Sequence, residues 1–259
     1  MLCTMDSLCR RFEGKVVLVT GAARGIGLAV ATAFAKEGAV LAVNDVSEEN
    51  LQGAIAAIRG ISPKSTSYRA DITKADEVRE MVDKVERDHQ CVDILVNNAG
   101  IALPTGTLDI SEQEWDRVMS VNLKGAFLVS QRVISLMIRK RRKGNVVMMG
   151  SLSGKMGGVA TGLHYSVSKG GLIVMARQLA REFAKFGINV NAVAPSFADT
   201  DMLRDLKLEG KKEELAKMNV IPRLATPDDI ANAVLFLSSE SSSFITGETI
   251  NVAGGRLMD

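Results

Sequence analysis

The sequence predicts a single doubly wound α/β domain built on a mostly parallel sheet of seven strands. Two observations carry that prediction. Short β-branched runs alternate with longer amphipathic ones from Lys15 to the end of the chain, and no Pro- or Ser-rich linker divides them. Parallel strands need crossovers, so strand, helix, strand repeated in this way puts helices on both faces of one sheet. Strands are expected at KVVLVT, VLAVND, STSYRAD, DILVNNA, NVVMMGS, INVNAVA and ETINVAG. Between them Val78, Met81, Val82 and Val85 form one apolar helical stripe, and Ile230, Val234 and Leu237 another. Residues 1–13 read as a loose N-terminal extension, and residues 14–259 as the domain.

Composition narrows the function classes. At 259 residues, 46% hydrophobic and 24% charged, the chain can bury a large core. A net charge of +2 gives no overall pull toward nucleic acid or an anionic membrane, so a small-molecule partner is expected. Cys3, Cys9 and Cys91 are too few and too scattered for a disulfide framework, no Cys/His cluster has metal-ligand spacing, and the cytoplasm is the expected compartment. The first residues lack the apolar run of a signal peptide, and no stretch is expected to reach the roughly eighteen apolar residues needed to span a bilayer. The basic run RKRRK, from Arg139 to Lys143, closes a predicted helix, where cations complement the carbonyl end of the dipole.

Sheets of this kind bind ligands at the carboxyl ends of their strands, and the unusual residues fall there. The first strand runs into TGAARGIG, whose glycines Gly21, Gly25 and Gly27 suit a tight turn that brings backbone N–H groups and a helix N-terminus against a pyrophosphate. The second strand ends at Asp45, where a carboxylate can accept hydrogen bonds from an adenosine ribose or cap the next helix, with Ser47 as a rival cap. A carboxylate facing the ribose repels a 2′-phosphate and favours NAD, while Arg24 in the glycine turn could pair with that phosphate and admit NADP. The third strand ends at Asp71, either an adenine contact or a cap, and the fourth in NNAG, either a ligand-lining turn or one stabilised by asparagine side chains.

Asn122 falls on the apolar face of a helix starting near Ser111, where an unpaired amide costs roughly 1 to 3 kcal/mol, so it must be hydrogen-bonded. Ser151 follows the fifth strand, with Ser153 as a nearby rival. In HYSVSKGGL, Lys169 follows Tyr165 by four residues, so on a helix its ammonium lies near the phenol and favours the phenolate. That would move Tyr165 toward a range where it can take and give a proton. His89 is expected at the surface, and His164 adjoins Tyr165 and could face a pocket. No G-x-S-x-G elbow is present, which removes the hydrolase reading.

In this order TGAARGIG, NNAG, Asn122, Ser151, YSVSK and ITGETINVAGG make the chain resemble the short-chain dehydrogenase/reductase family, from about Lys15 to Gly255. The resemblance implies a Rossmann-type domain with NAD, or NADP, across the carboxyl edge of the sheet, and no metal. It implies a tetrad in which Tyr165 exchanges a proton with the substrate oxygen, Ser151 holds that oxygen, Lys169 tunes Tyr165 and binds the nicotinamide ribose, and Asn122 positions a water. The cofactor would lie against Gly21, Arg24, Gly25, Ile26, Gly27, Asp45, Asp71, Ile72, Asn98, Ala99, Gly100, Tyr165, Lys169, Pro195 and Thr200. The reaction implied is ketone–secondary alcohol interconversion by hydride transfer. GSLSGKMGG, ADTDM and FITGETINVAGG look most like 3-oxoacyl-acyl-carrier-protein reductases and related alcohol and sugar dehydrogenases, so a 3-oxoacyl thioester, a secondary alcohol or a polyol is the expected substrate. A homotetramer is implied as well. Ser196 departs from the family's glycine and could narrow the pocket or resist a dihedral glycine accepts. The substrate lid is expected between Ser196 and Asn219, with Met202, Leu203 and Leu206. A catalytically idle nucleotide-binding scaffold and an adenosyl-dependent methyltransferase are the rivals; only the oxidoreductase needs Tyr165 and Lys169 a turn apart.

Overall fold

The computed structural model describes residues 10–258. Seven strands, β1 (Val16–Thr20), β2 (Val40–Asp45), β3 (Thr66–Arg69), β4 (Ile94–Asn97), β5 (Gly144–Met149), β6 (Ile188–Pro195) and β7 (Thr249–Val252), form one sheet in the order β3-β2-β1-β4-β5-β6-β7. Every pairing is parallel, from Val16 opposite Val40 to Pro195 opposite Val252. The strand order reverses between β1 and β4, so a crevice opens at their carboxyl ends.

Strand alternation divides the core. Leu18, Val146 and Met148 point to one face, where they meet α3 (Ala75–His89), α5 (Gly125–Arg139) and α7 (Leu163–Phe183). Val17, Val19, Val147 and Met149 point to the other, against α1 (Gly25–Lys36), α2 (Glu48–Arg59) and α10 (Pro227–Ser238). The helix starts follow from side-chain chemistry: Ser47 accepts from the Asn50 N–H, Ser111 caps α4 (Glu112–Met119) through the Glu114 N–H, and Thr226 with Asp229 forms a capping box ahead of Pro227. Arg139 and Lys140 of the basic run pair with Glu86, as befits a solvated helix end.

Two expectations are corrected. Arg10–Glu13 are not loose: Phe12 is buried edge-on against Phe34 at 4.7 Å, its N–H reaches the Glu37 carbonyl, and Arg11 pairs with Glu37. Residues 1–9, with Cys3 and Cys9, lie outside the described residues; Cys91 is a buried free thiol. Secondly, α4, a π turn (Ser120–Lys124) and α5 run on as one helix of 28 residues, Glu112–Arg139, long and apolar enough to cross a membrane. Its apolar character has a local cause, because Val118, Val129, Val133 and Met137 are fully buried in the domain. The lid segment folds into two short helices, α8 (Asp201–Asp205) and α9 (Lys212–Lys217), beyond α6 (Ser153–Met156) and α7 in chain order.

Candidate active site

The site forms at the carboxyl edge, and its first wall is the glycine turn. Gly21 has φ +62°, and a Cβ there would stand 2.7 Å from the Ala99 Cα, so the turn after β1 lies directly against the turn after β4. Gly27 is equally constrained, since a Cβ would overlap the Gly21 carbonyl. Asn98 locks the two turns together by donating to the Thr20 and Gly21 carbonyls at 3.0 and 2.9 Å. The Thr20 hydroxyl accepts from the N–H groups of Asn98 and Ala99, a clamp the sequence did not reveal. At the start of α1, the N–H groups of Gly25, Ile26 and Gly27 find no partner among the described residues, Arg24 supplies no side-chain cap, and the first turn holds no acid. Unpaired N–H groups at a positive dipole end fit the pyrophosphate of a dinucleotide.

Asp45 ends β2 at the same edge of the sheet. Ser47 is the cap of α2, which frees Asp45, and its carboxylate accepts from the Ala23 N–H at 3.2 Å and the Ser47 N–H at 3.1 Å. Arg24 instead reaches across to the lid helix, 3.3 Å from Asp205 and 3.9 Å from Asp201. Asp71 spends one carboxylate oxygen on Thr73, at 3.0 Å from its N–H and 2.7 Å from its hydroxyl. Ile72 is buried beneath Gly125, which leaves only its backbone for a ligand. Asn97 points away into the core and bonds Ser130, so Asn98 and Gly100 are the NNAG residues that line the crevice.

One cavity brings together Ile26, Asn98, Gly100, Ser151, Tyr165, Lys169, Pro195 and Thr200 with Met202, Leu203 and Leu206 of the lid. Tyr165 and Lys169 lie on α7, with the Lys169 Nζ 5.7 Å from the centre of the Tyr165 ring. The Ser151 side chain lies beside the Tyr165 phenol, and its Oγ accepts from the N–H of Ser153, which lines the same cavity, at 3.1 Å. Burial drives the Tyr165 phenol above its ordinary value, with Ser151 pulling the other way. Burial also lowers Lys169, to about 8, and its Nζ donates to the Met149 carbonyl at 2.7 Å. Burial thus moves the two groups in opposite directions.

Asn122 is fully buried on the π turn and is satisfied by a loop and a side chain rather than by its own helix. Its Oδ1 accepts from the Ile101 N–H at 2.8 Å, and its Nδ2 donates to the Ile101 carbonyl at 2.9 Å and Ser168 at 3.0 Å. Ser168 passes the contact on to the Tyr165 carbonyl at 2.7 Å. His164 is wholly buried and does not line the cavity: its Nδ1 accepts from the Tyr165 N–H, which leaves the proton on Nε2 for Glu114, 2.8 Å away. It thereby pins the start of α7 to α4. His89 is half-buried rather than superficial, 2.6 Å from the Thr66 hydroxyl. Ser196 is not among the positive-φ residues, so it carries no strain; its buried Oγ has no hydrogen-bond partner.

Residues 21–256 match a family model described as enoyl-(acyl carrier protein) reductase. The chain belongs to the short-chain dehydrogenase/reductase family. A 3-oxoacyl-(acyl-carrier-protein) reductase FabG of Thermotoga maritima is 40% identical over 245 residues, 95% of this chain and 98% of that protein. The FabG of Escherichia coli is 39% identical over 247 residues, 95% of this chain and 99% of that one. A crystal structure of a short-chain dehydrogenase/reductase, glucose/ribitol dehydrogenase, from Brucella melitensis superposes with a TM-score of 0.89 at 33% identity, covering 97% of this chain and all of that one. Family membership makes this chain an NAD(P)-dependent oxidoreductase acting on a CH–OH or keto group.

Proposed function

We propose that the enzyme interconverts a ketone and a secondary alcohol with Tyr165 as the acid–base group, the natural substrate class being a 3-oxoacyl thioester. The observation that carries this is the convergence of the Ser151 and Tyr165 hydroxyls in one cavity beside the buried Lys169. Two hydroxyls converging there can hold a single carbonyl oxygen, and Tyr165, protonated at neutral pH, supplies the proton that a developing alkoxide requires. A bound nicotinamide would supply the hydride chemistry. Gly21, Gly25, Ile26 and Gly27 would hold its pyrophosphate, Asp45 the adenosine ribose, and Asn98, Gly100, Lys169, Pro195 and Thr200 the nicotinamide half. Ser168 and Asn122 fix the backbone of α7 at Tyr165, and His164 holds that helix from the other side.

The shared name of the bacterial relatives supports the 3-oxoacyl thioester; a secondary alcohol or polyol is the second substrate class, supported by the glucose/ribitol dehydrogenase name of the structural relative. NAD is favoured over NADP because Asp45 presents a carboxylate at the end of β2 while Arg24 is committed to Asp201 and Asp205. The reading extends to a cytoplasmic homotetramer. Replacing Tyr165 with Phe tests the mechanism. Turnover of a 3-oxoacyl thioester, followed by nicotinamide absorbance with both cofactors, falls about 10²–10⁴-fold, while the dissociation constant of NADH stays within twofold. Full turnover by Y165F sinks the assignment.

A further inference from the structure

The cavity has a second cation that the tetrad leaves unused. Among its lining residues the charged ones are Lys169 and Arg256, with no aspartate or glutamate. Arg256 comes from the turn that follows β7. Gly254 and Gly255 have φ +57° and +81°, a succession only glycine adopts without strain, and a Cβ on Gly255 would press on Val220 at 2.8 Å. The Ser196 N–H bonds the Val252 carbonyl and the Ile221 N–H bonds the Gly254 carbonyl, so this turn is fixed against both the end of β6 and the end of the lid segment. The result is a guanidinium over the Phe197 ring, its central carbon 5.0 Å from the ring centre. A guanidinium held over an aromatic ring makes no hydrogen bond to that ring's edge and keeps its N–H donors for a planar oxyanion. No carboxylate or carbonyl pairs with the Arg256 side chain among the described residues, and burial lowers its pKa. Arg24, Arg132, Arg139, Arg204 and Arg223 pair with carboxylates, whereas Arg256, like Arg87 and Arg117, has no carboxylate partner among the described residues. Beside Phe197, the buried Ser196 hydroxyl also lacks a partner and lines the same cavity.

We propose that Arg256 is the anchor for an oxyanion carried by the substrate, with the Ser196 hydroxyl as a second donor. The enzyme then takes oxo or hydroxy compounds that bear a carboxylate, or a phosphate on a thioester arm, and discriminates against neutral ketones. This rests on the oxidoreductase reading of the same cavity for its turnover, but its anion preference is measurable by binding alone.

The test compares matched pairs on the wild type, Arg256→Met, which keeps an apolar stem over Phe197, and Arg256→Lys, which keeps the charge. One pair is 3-oxobutanoate and its methyl ester; the other is 3-oxobutyryl phosphopantetheine and 3-oxobutyryl pantetheine. Dissociation constants are measured by calorimetry in the presence of saturating NAD⁺, which has no hydride to give a ketone, and KM and kcat are measured with NADH where turnover occurs. In R256M the constant for an anionic member rises about tenfold or more relative to its neutral partner, and R256K recovers part of that difference. The pair that shows the effect identifies the anion as carboxylate or phosphate. Equal changes for anionic and neutral members in both pairs overturn the anchor, even if turnover is normal. An anion preference that disappears in R256M without any turnover by the wild type with NADH upholds the anchor and overturns the 3-oxoacyl substrate class instead.

Discussion

Tyr165 and Lys169 share one buried environment, and burial moves their proton affinities in opposite directions, the phenol up and the ammonium down to about 8. The signs fix a pH dependence. Reduction needs the protonated phenol, which is the prevailing form at neutral pH, so its rate is flat there and falls only as Tyr165 ionises in alkali. Oxidation needs the phenolate, so its rate climbs with pH over the same range. Lys169 is mostly cationic below about pH 8, and only its cationic form favours the phenolate. Lys169→Met is therefore expected to push the rising limb of oxidation to higher pH and to cut kcat about 10²-fold or more. Profiles of kcat/KM against pH in both directions check this, and an oxidation limb left in place by K169M would remove Lys169 from the proton path. The spacing of Tyr165 and Lys169 was legible because helical periodicity alone brings i and i+4 together. The competition between burial and charge was not, since the depth of a residue is a property of the packed molecule.

At the level of elements, the start of α1 shows what a glycine pattern can and cannot say. TGAARGIG announces a turn, yet Gly27 is hemmed in not only by the Gly21 carbonyl of that turn but also by the Asn98 amide, 2.5 Å from an added Cβ, which is a tertiary distance. Gly27→Ala is expected to push α1 off the glycine turn and weaken NADH binding about tenfold or more, read by quenching of nicotinamide fluorescence. Gly53→Ala, in the middle of α2 with nothing within 4 Å of its added Cβ, is the contrast: it should leave NADH binding intact and stabilise the fold by about 1 kcal/mol. Loss of binding in both variants, or in neither, would contradict the close-approach argument. Asn122 makes the same point. Its place on an apolar face required a partner, but the partners lie on the loop after β4 and on α7, and the π turn that carries it follows from no local propensity. Arg256 was missed for a related reason, because AGG reads as the end of a strand and nothing in the composition says that the following cation folds back over Phe197.

Over the whole molecule, a parallel doubly wound sheet was accessible from the alternation of β-branched and amphipathic runs, since parallel strands need crossovers, but the order of its strands was not. What alternation leaves open is how the outer faces of the helices are covered. Phe127 on α5 remains 43% exposed and Val174 on α7 62% exposed, although both helices bury their opposite faces in the core. A groove between α5 and α7 is lined by Phe127, Ile134, Ile138, Leu179 and Phe183. At the far edge of the sheet β7 pairs on one side only, and Phe244 is fully exposed shortly before it. If the helix pair and the sheet edge each meet their own copy across a two-fold axis, the two surfaces together close a tetramer, whereas one would stop at a dimer. If the helix groove is one of them, Phe127→Glu places a charge in its centre and should convert tetramers into dimers held by the β7 edge. Sedimentation velocity at micromolar concentration reads this directly. A wild-type protein that sediments as a monomer removes the oligomer, and an F127E variant that stays tetrameric moves the interface away from α5 and α7.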